Sequence, residues 1–185
     1  GHTGFKGSWL CLWLYLSGAK VIGISDKTEK RSNYQALGLN KKIFSKKIDI
    51  RNFNKLKKII KKSNPDFVFH LAAQSLVKKS YDAPMLTFNT NSIGTLNLLE
   101  SLRFMKKKCV IVVITSDKSY KNLELSRGYN EEDLLGGVDP YSASKACAEL
   151  VIKSYFNSFL NKNKNLKIGV ARAGNVIGGG DWSQN

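Results

Sequence analysis

The chain has 185 residues, of which 42% are hydrophobic and 10% aromatic, and these values are ordinary for one globular domain with a sizeable core. Its longest unbroken apolar stretch runs from Trp9 to Leu16, far short of the roughly 20 residues that a membrane-spanning helix needs. The formal net charge of +16 includes many lysines that flank apolar segments without interleaved aromatic residues, so it indicates a solvated basic surface that attracts anionic substrates and not a nucleic-acid-binding site.

Strand-like and helix-like segments alternate along the chain. In chain order we predict a helix over 7–17, strands over 20–25 and 43–48, a helix over 52–62, a strand over 66–72, a long helix within 84–105, a strand over 109–114, a helix from 140 to about 160 and a strand over 167–171. This alternation predicts an α/β fold of the doubly wound, Rossmann type, in which helices cover both faces of a parallel sheet.

A glycine-rich turn, with Gly1, Gly4 and Gly7, leads directly into the first predicted helix. Glycines at such a turn let the backbone approach a pyrophosphate, and the N-terminus of the helix adds a favourable partial charge. A turn of this kind needs a strand before it, and in the doubly wound order 3-2-1-4-5-6 that first strand is central. We therefore expect the sequence to be a fragment of a longer protein that lacks this first strand.

Acidic and small residues follow the next three predicted strands, where a dinucleotide would lie. Asp26 ends the first of these strands and can accept hydrogen bonds from an adenosine ribose, which favours NAD over NADP, although Lys27 and Arg31 soften that preference. Further along, 49–50 can flank an adenine and 71–74 can approach the dinucleotide closely. The cofactor-binding residues that we predict in the turn, in these segments and further along the chain are Gly1, His2, Thr3, Gly4, Phe5, Lys6, Gly7, Asp26, Asp49, Ile50, Leu71, Ala72, Ala73, Tyr141 and Lys145.

The sequence contains only two histidines and three cysteines, so it has few imidazole and thiol groups for catalysis or metal binding. His70 lies within an apolar strand and is predicted to be a core histidine, whereas His2 lies in the glycine-rich turn, where a core position and a contact to cofactor or substrate are both open. Cys11, Cys109 and Cys147 have neither zinc-like spacing nor a disulfide framework, which favours buried thiols in a reducing cytoplasm. We predict no metal site.

The chemistry is predicted to lie in two short segments. Ser116, Asp117 and Lys118 follow an apolar strand, at the edge where parallel sheets hold their ligands. Tyr141 and Lys145 are four residues apart at the start of a helix, so they share one helix face, and the lysine can lower the pKa of the phenol. Tyr141 and Lys145 indicate redox chemistry through the tyrosine, whereas Asp117 and Lys118 indicate a second acid–base step.

Five stretches of the chain resemble the extended short-chain dehydrogenase/reductase family, and within it the sugar-nucleotide dehydratases. They are 1–9 (GHTGFKGSW), 71–74 (LAAQ), 115–118 (TSDK), 139–142 (DPYS) and 172–182 (RAGNVIGGGDW). Relatives commonly carry Thr-Asp-Glu where this chain has Ser116, Asp117 and Lys118, and the lysine is typical of the branch that acts on CDP-glucose. The resemblance also implies that most of a C-terminal substrate domain is missing here, so that 1–185 is an NAD-binding domain with the catalytic residues.

The resemblance implies an NAD-dependent dehydration that gives a 4-keto-6-deoxy sugar nucleotide. Tyr141, kept acidic by Lys145, takes the C4 hydroxyl proton, and Asp117 protonates the departing C6 hydroxyl. Lys118 either assists removal of the C5 proton or stabilises the charge that develops. Three residues are expected at the substrate, namely Gln74, Ser116 and Asn175, while Asn91 positions the active-site region and the role of Arg172 is open between structure and substrate.

Two other functions compete with this interpretation. A sugar-nucleotide 4-epimerase or decarboxylase needs the tyrosine and lysine but no acid for a C6 leaving group, so Asp117 and Lys118 disfavour it. A nucleotide-sensing or nucleic-acid-binding protein would use the basic charge but has no need of Tyr141 and Lys145. The resemblance further implies a homodimer, a nucleotide-sugar substrate and no nucleic-acid or membrane partner.

Overall fold

A computed structural model describes residues 1–182, in which five parallel strands form the centre of the fold. They are β1 (Ile22–Ser25), β2 (Phe44–Lys47), β3 (Phe67–His70), β4 (Cys109–Ile114) and β5 (Leu166–Ala171). β1 pairs with β2, and β4 pairs with β3 on one side and β5 on the other. The predicted α/β class and parallel strand direction are confirmed.

Seven α-helices connect and cover these strands within the described residues. They are α1 (Phe5–Leu16), α2 (Asn33–Ala36), α3 (Phe53–Ser63), α4 (Val77–Asp82), α5 (Pro84–Phe88), α6 (Gly94–Leu102) and α7 (Pro140–Ser158). The longest, α7, begins where Asp139 accepts hydrogen bonds from the backbone N–H groups of Tyr141 and Ser142, both at 3.0 Å, and where Pro140 takes the first helical position. Local sequence thus fixes the start of the helix on which the tyrosine and lysine lie.

The two groups of strands are not hydrogen-bonded to each other in the described residues, and the gap lies between β1 and β3. The glycine-rich turn bridges the carboxyl ends of these two strands. The amino group of Gly1 donates to Ile24 O at 2.6 Å, and a Cβ on Gly1 would lie 2.7 Å from Ala72 N. The turn therefore lies at the topological switch point, where open α/β sheets bind their ligands.

The segment predicted as one long helix within 84–105 is interrupted. A π-helical turn over 89–93 separates α5 from α6, and Asn91 and Ser92 within it are buried. Two short helices, α2 and α4, were not predicted, and β3 ends at His70, so Leu71 and Ala72 lie beyond the strand. Because these short segments are stabilised by tertiary contacts, hydrophobic periodicity carries little signal for them.

The main core lies between the three-stranded sheet and helices α3, α6 and α7. Its fully or almost fully buried side chains include Leu56, Leu99, Leu102, Ile111 and Leu160. All three cysteine thiols are free, with Cys11 and Cys109 buried and Cys147 half-buried. Within residues 1–182 no helix is both long and apolar enough to cross a membrane.

Candidate active site

Tyr141 and Lys145 lie one turn apart on α7, and both are buried, as the sequence predicted for two residues on one helix face. Ser116, two residues after the end of β4, lies close enough to the hydroxyl of Tyr141 to shift its pKa. The end of a central strand and the first turns of α7 therefore meet. A phenol, an ammonium group and a serine hydroxyl are brought together at the carboxyl edge of the sheet.

Asp117 and Lys118 begin a short 3₁₀ turn, Asp117–Ser119, and both side chains are exposed. The backbone N–H of Asp117 donates to Ala173 O at 3.1 Å, which fixes the turn against the segment after β5. Ser116 Oγ donates to Asp117 Oδ1 at 3.0 Å. A carboxyl group thus lies beside the serine that contacts the phenol, and it faces the space in front of the sheet edge.

The pKa of Tyr141 is raised in the chain as it stands. Burial raises it most, the interaction with Ser116 lowers it, and nearby Asp117 and Asp139 raise it further. Desolvation of the phenolate therefore outweighs the effect of Ser116, and the predicted lowering of this pKa by Lys145 and a bound cofactor stays a prediction. A phenolate at neutral pH needs additional positive charge at this edge of the sheet.

Lys145 is itself shifted towards its neutral form. Burial lowers its pKa to about 8, and repulsion from Lys6 acts in the same direction, while Glu149 opposes both. Lys6 is exposed at the start of α1, so the N-terminal turn and α7 are close enough to interact electrostatically. Two ammonium groups therefore face one region of the site, which suits an anionic ligand.

His70 is a core histidine, as predicted. Thr95 Oγ1 donates to Asn91 O at 2.6 Å, which leaves His70 Nε2 to donate to Thr95 Oγ1 at 3.0 Å. Burial, reinforced by the charge of Lys145, lowers the pKa of His70 to about 3. The ring is neutral at physiological pH and its role is structural.

We expect His70 to make the folded state sensitive to mild acid. Because its pKa is lowered by folding from 6.5 to about 3, the unfolded chain binds the proton first, so stability falls as pH falls below about 6.5. Between pH 7 and pH 5 this loss amounts to about 2 kcal/mol. Urea unfolding of the intact protein at both pH values should show a larger loss in wild type than in His70→Gln, since His2, whose pKa burial also lowers, contributes in both proteins. An equal pH dependence in the two proteins would contradict the assignment.

Asn91 joins the loop after β3 to α7. Its side-chain amide donates to Gln74 O at 3.0 Å and Ser144 Oγ at 2.8 Å, and its Oδ1 accepts from Gln74 N at 2.8 Å. The Gln74 side chain is used locally, since its Nε2 donates to Leu76 O and Thr87 Oγ1 and its Oε1 accepts from Leu76 N. Asn91 therefore positions the site as predicted, whereas the Gln74 amide is engaged by the protein itself, so its predicted substrate contact stays a prediction.

Sequence reasoning missed Glu149, which follows Lys145 by four residues on the same face of α7 and is buried. Its carboxylate pairs with Arg172, whose Nε lies 2.8 and 2.9 Å from the two carboxylate oxygens and whose Nη2 lies 2.5 Å from Oε2. Arg172 also stacks on the ring of Tyr120, 4.5 Å from its centroid. Of the two roles left open for Arg172, the structure places it in a structural ion pair. The four-residue spacing of Tyr141, Lys145 and Glu149, which places all three on one face of a helix, is the sequence signal that could have identified Glu149.

The glycine-rich turn has the geometry of an anion site. A Cβ on Gly7 would overlap the carbonyl oxygen of Gly1, so the turn closes tightly on itself, while a Cβ on Gly4 would meet nothing nearer than 3.5 Å. Gly4 caps α1 without a side-chain hydrogen bond, and no acidic residue lies in the first turn of the helix. The first N–H groups of α1 are thus available to an anion such as a pyrophosphate.

The side chain of His2 lies inside the protein, away from the turn's open face. Its Nε2 lies 2.7 Å from Ser45 Oγ, its ring packs edge-on against Tyr34 at 5.2 Å, and a Cβ on Gly23 would overlap it. Only the main chain of His2 is placed to serve a cofactor. Thr3 Oγ1 contacts Ser25 Oγ and Lys27 O, at 2.7 and 2.6 Å, and so ties the turn to the end of β1.

The predicted adenosine-binding residues lie along the carboxyl edge of β1 and β2. Asp26 is exposed directly after β1. Asp49 is held by Arg51, whose backbone N–H lies 2.9 Å from its Oδ1 and whose guanidinium forms an ion pair with its carboxylate. Ile50 is buried in the main core, and Asn97 Nδ2 donates to its carbonyl at 3.0 Å. Asp26 is thus open to a ribose, while Ile50 can flank an adenine only through its backbone.

The segment after β5 folds back over α1. Trp9 Nε1 donates to Gly179 O at 2.9 Å, and a cavity of about 390 Å³ is lined by Phe5, Lys6, Trp9 and residues 176–179. Asn175 is exposed and directly precedes, in the sequence, the residues 176–179 that line this cavity. In the described part of the chain no group of three or more His, Cys, Asp or Glu residues could hold a metal ion.

Comparisons with known proteins place these features in a family. Residues 1–166 match the profile of GDP-mannose 4,6 dehydratase. The chain is 48% identical to CDP-glucose 4,6-dehydratase of Salmonella typhimurium, over all of this chain and 53% of that protein. It is 34% identical to dTDP-D-glucose 4,6-dehydratase of Dictyostelium discoideum, over 96% of this chain and 43% of that protein. The chain therefore spans about half the length of the curated relatives it matches.

Solved structures support the same fold. UDP-glucose 4-epimerase of Thermus thermophilus in complex with NAD is 28% identical and superimposes with a TM-score of 0.77, over 93% of this chain and 52% of that one. UDP-glucuronic acid 4-epimerase of Bacillus cereus, in complex with UDP-glucuronic acid and NAD, is 27% identical with a TM-score of 0.77, over 93% of this chain and 54% of that one.

Proposed function

This chain belongs to the GDP-mannose 4,6-dehydratase family, and from that premise we propose that it supplies the NAD-binding and acid–base part of an enzyme that converts CDP-glucose to CDP-4-keto-6-deoxyglucose. The observation that carries the proposal is that Tyr141, Ser116 and Asp117 lie together: Ser116 is close enough to the phenol of Tyr141 to shift its pKa, and it donates a hydrogen bond to the carboxyl group of Asp117. One group for redox chemistry and one for elimination thus lie at the same edge of the sheet. The 48% identity to a CDP-glucose 4,6-dehydratase supports the choice of substrate.

The residues at the sheet edge fit a dinucleotide. The open N-terminus of α1 at Gly4 would hold the pyrophosphate, Asp26 the adenosine ribose, and the loop over 71–73 would lie along the dinucleotide. Bound NAD⁺ would supply the hydride acceptor for C4 of the sugar and the hydride donor for C6. Its positive nicotinamide ring would be the additional charge that Tyr141 needs at this edge.

The remaining steps belong to the side chains of the chain. Tyr141 accepts the proton of the C4 hydroxyl as the C4 ketone forms, with Lys145 one turn away and Ser116 close to the phenol oxygen. The ketone acidifies the C5 hydrogen, whose removal Lys118 assists. Asp117 donates a proton to the C6 oxygen as it leaves, so that water is released.

A 4-epimerase remains the competing function, since NAD-bound epimerases share this fold. An epimerase has no need of an acid at C6, and the position of Asp117 beside Ser116 favours dehydration. The test is incubation of the intact protein with NAD⁺ and CDP-, UDP-, GDP- or dTDP-glucose. We expect a 4-keto-6-deoxy product from CDP-glucose. A C4 epimer, or no product from any of the four, would overturn the proposal.

Replacing Asp117 by Asn should separate elimination from oxidation. The amide cannot donate the acidic proton, so turnover should fall by roughly 10²–10⁴-fold, while oxidation at C4 continues. Product formation gives the first quantity, and nicotinamide absorbance in a single turnover gives the second. Asp66→Asn is the matched control, since Asp66 pairs with Lys107 at the opposite edge of the sheet. An equal loss of oxidation and elimination would contradict the assigned role.

We further propose that this chain forms the NAD-binding domain of a homodimeric cytoplasmic enzyme whose partner molecule is a nucleotide sugar. Asn175 would face the substrate diphosphate. Equilibrium sedimentation of the intact protein measures the oligomeric state directly.

A further inference from the structure

Two hydroxyl groups bracket the tripeptide that carries the acid. Thr115 Oγ1, before it, donates to Glu149 Oε1 at 2.7 Å, and Ser119 Oγ, after it, lies 3.0 Å from the same oxygen. The single proton of the Ser119 hydroxyl is shared between this oxygen and Ser116 O, which lies 2.6 Å from Ser119 Oγ and closes the turn. Both ends of residues 116–118 thus contact a single carboxylate on α7.

The carboxylate is itself held in place. Arg172 binds both oxygens of Glu149, and the pair is largely buried, with side-chain exposures of 17% and 5%. These hydrogen bonds lower the pKa of Glu149 against the effect of burial. A carboxylate held through both oxygens by Arg172 is a fixed acceptor for the hydroxyl of Thr115.

We propose that Glu149 is a positioning residue for the elimination step, fixing the turn that carries Asp117 to the helix that carries Tyr141 and Lys145. The inference rests on the proposed function, since it concerns the proton that Asp117 delivers. Tyr141 and Lys145 belong to α7 and keep their mutual geometry without this link. Asp117 reaches the same substrate only through the turn, so loosening the turn slows elimination more than oxidation.

Thr115→Val tests the proposal because it removes one hydroxyl and keeps the shape of the side chain. We expect kcat for CDP-glucose in the intact protein to fall by about 10-fold with KM unchanged, because misplacement by a fraction of an ångström slows the step without weakening binding. The deuterium isotope effect on kcat with substrate labelled at C5 should rise, since elimination then limits turnover. Thr115→Ser keeps the hydroxyl and should restore wild-type values.

Ser80→Ala is the control for loss of a buried hydroxyl, because Ser80 bonds only Val77 O within α4. Its kcat and isotope effect should match wild type. Ser119→Ala provides a second measurement if Thr115→Val does not fold. An unchanged isotope effect in both turn variants, or an equal loss in Thr115→Ser, would overturn the positioning role alone. Wild-type protein that gives no 4-keto-6-deoxy product would overturn the proposed function, and this inference with it.

Discussion

Tyr141→Phe should abolish most of the turnover of CDP-glucose, by roughly 10²–10⁴-fold, which is the range for loss of a general acid–base group. The phenol is buried, lies close to Ser116 and is one helical turn from Lys145. Both oxidation and product formation should stop, because the proton and the hydride leave C4 together. A stopped-flow record of nicotinamide absorbance, with chromatographic product analysis, measures the two quantities.

Tyr155→Phe is the matched control for this change. Tyr155 lies on the same helix, and its hydroxyl donates to Glu100 at 3.2 Å, away from the sheet edge. We expect this variant to keep wild-type turnover. A Tyr141→Phe protein with more than a tenth of the wild-type rate would show that another group accepts the proton.

Gly7→Ala should disturb the glycine-rich turn more than a methyl group added at either of the other two glycines of the turn. The added Cβ would overlap the carbonyl oxygen of Gly1, a backbone atom that cannot rotate away, so the turn or the start of α1 must shift. Overpacking of this kind costs about 1–3 kcal/mol or more. Thermal unfolding of the intact protein should show a lower midpoint, and NAD⁺ titration should show weaker binding.

Gly4→Ala should weaken cofactor binding without lowering the stability of the fold. Its Cβ would lie 3.5 Å from Gly1 O, an ordinary contact, but it would stand on the open face at the N-terminus of α1. We expect an unfolding midpoint close to that of wild type and a weakened affinity for NAD⁺. Unchanged affinity would show that the dinucleotide does not lie over this turn.

The sequence predicted the elements whose signals are local. The apolar run of β4 and the Asp139-Pro140 start of α7 gave boundaries within a residue of those observed. The ion pair of Glu149 with Arg172 could not be predicted in this way, because its partners are 23 residues apart and meet only when β5 lies beside β4. The direction of the Tyr141 pKa depended likewise on burial, which only the folded chain shows.

The π-helical turn over 89–93 has a consequence for how the chain tolerates insertions and deletions. Its wider spacing accommodates an extra residue relative to a regular α-helix, and Asn91 within it reaches both the loop after β3 and α7. Removing one residue here would close the segment into a regular α-helix and leave the helix on either side in phase. The residue lost would be one of those that give Asn91 its reach, so a single-residue gap at this point of an alignment marks a change in the link between the two halves of the site, even where the surrounding helix looks intact.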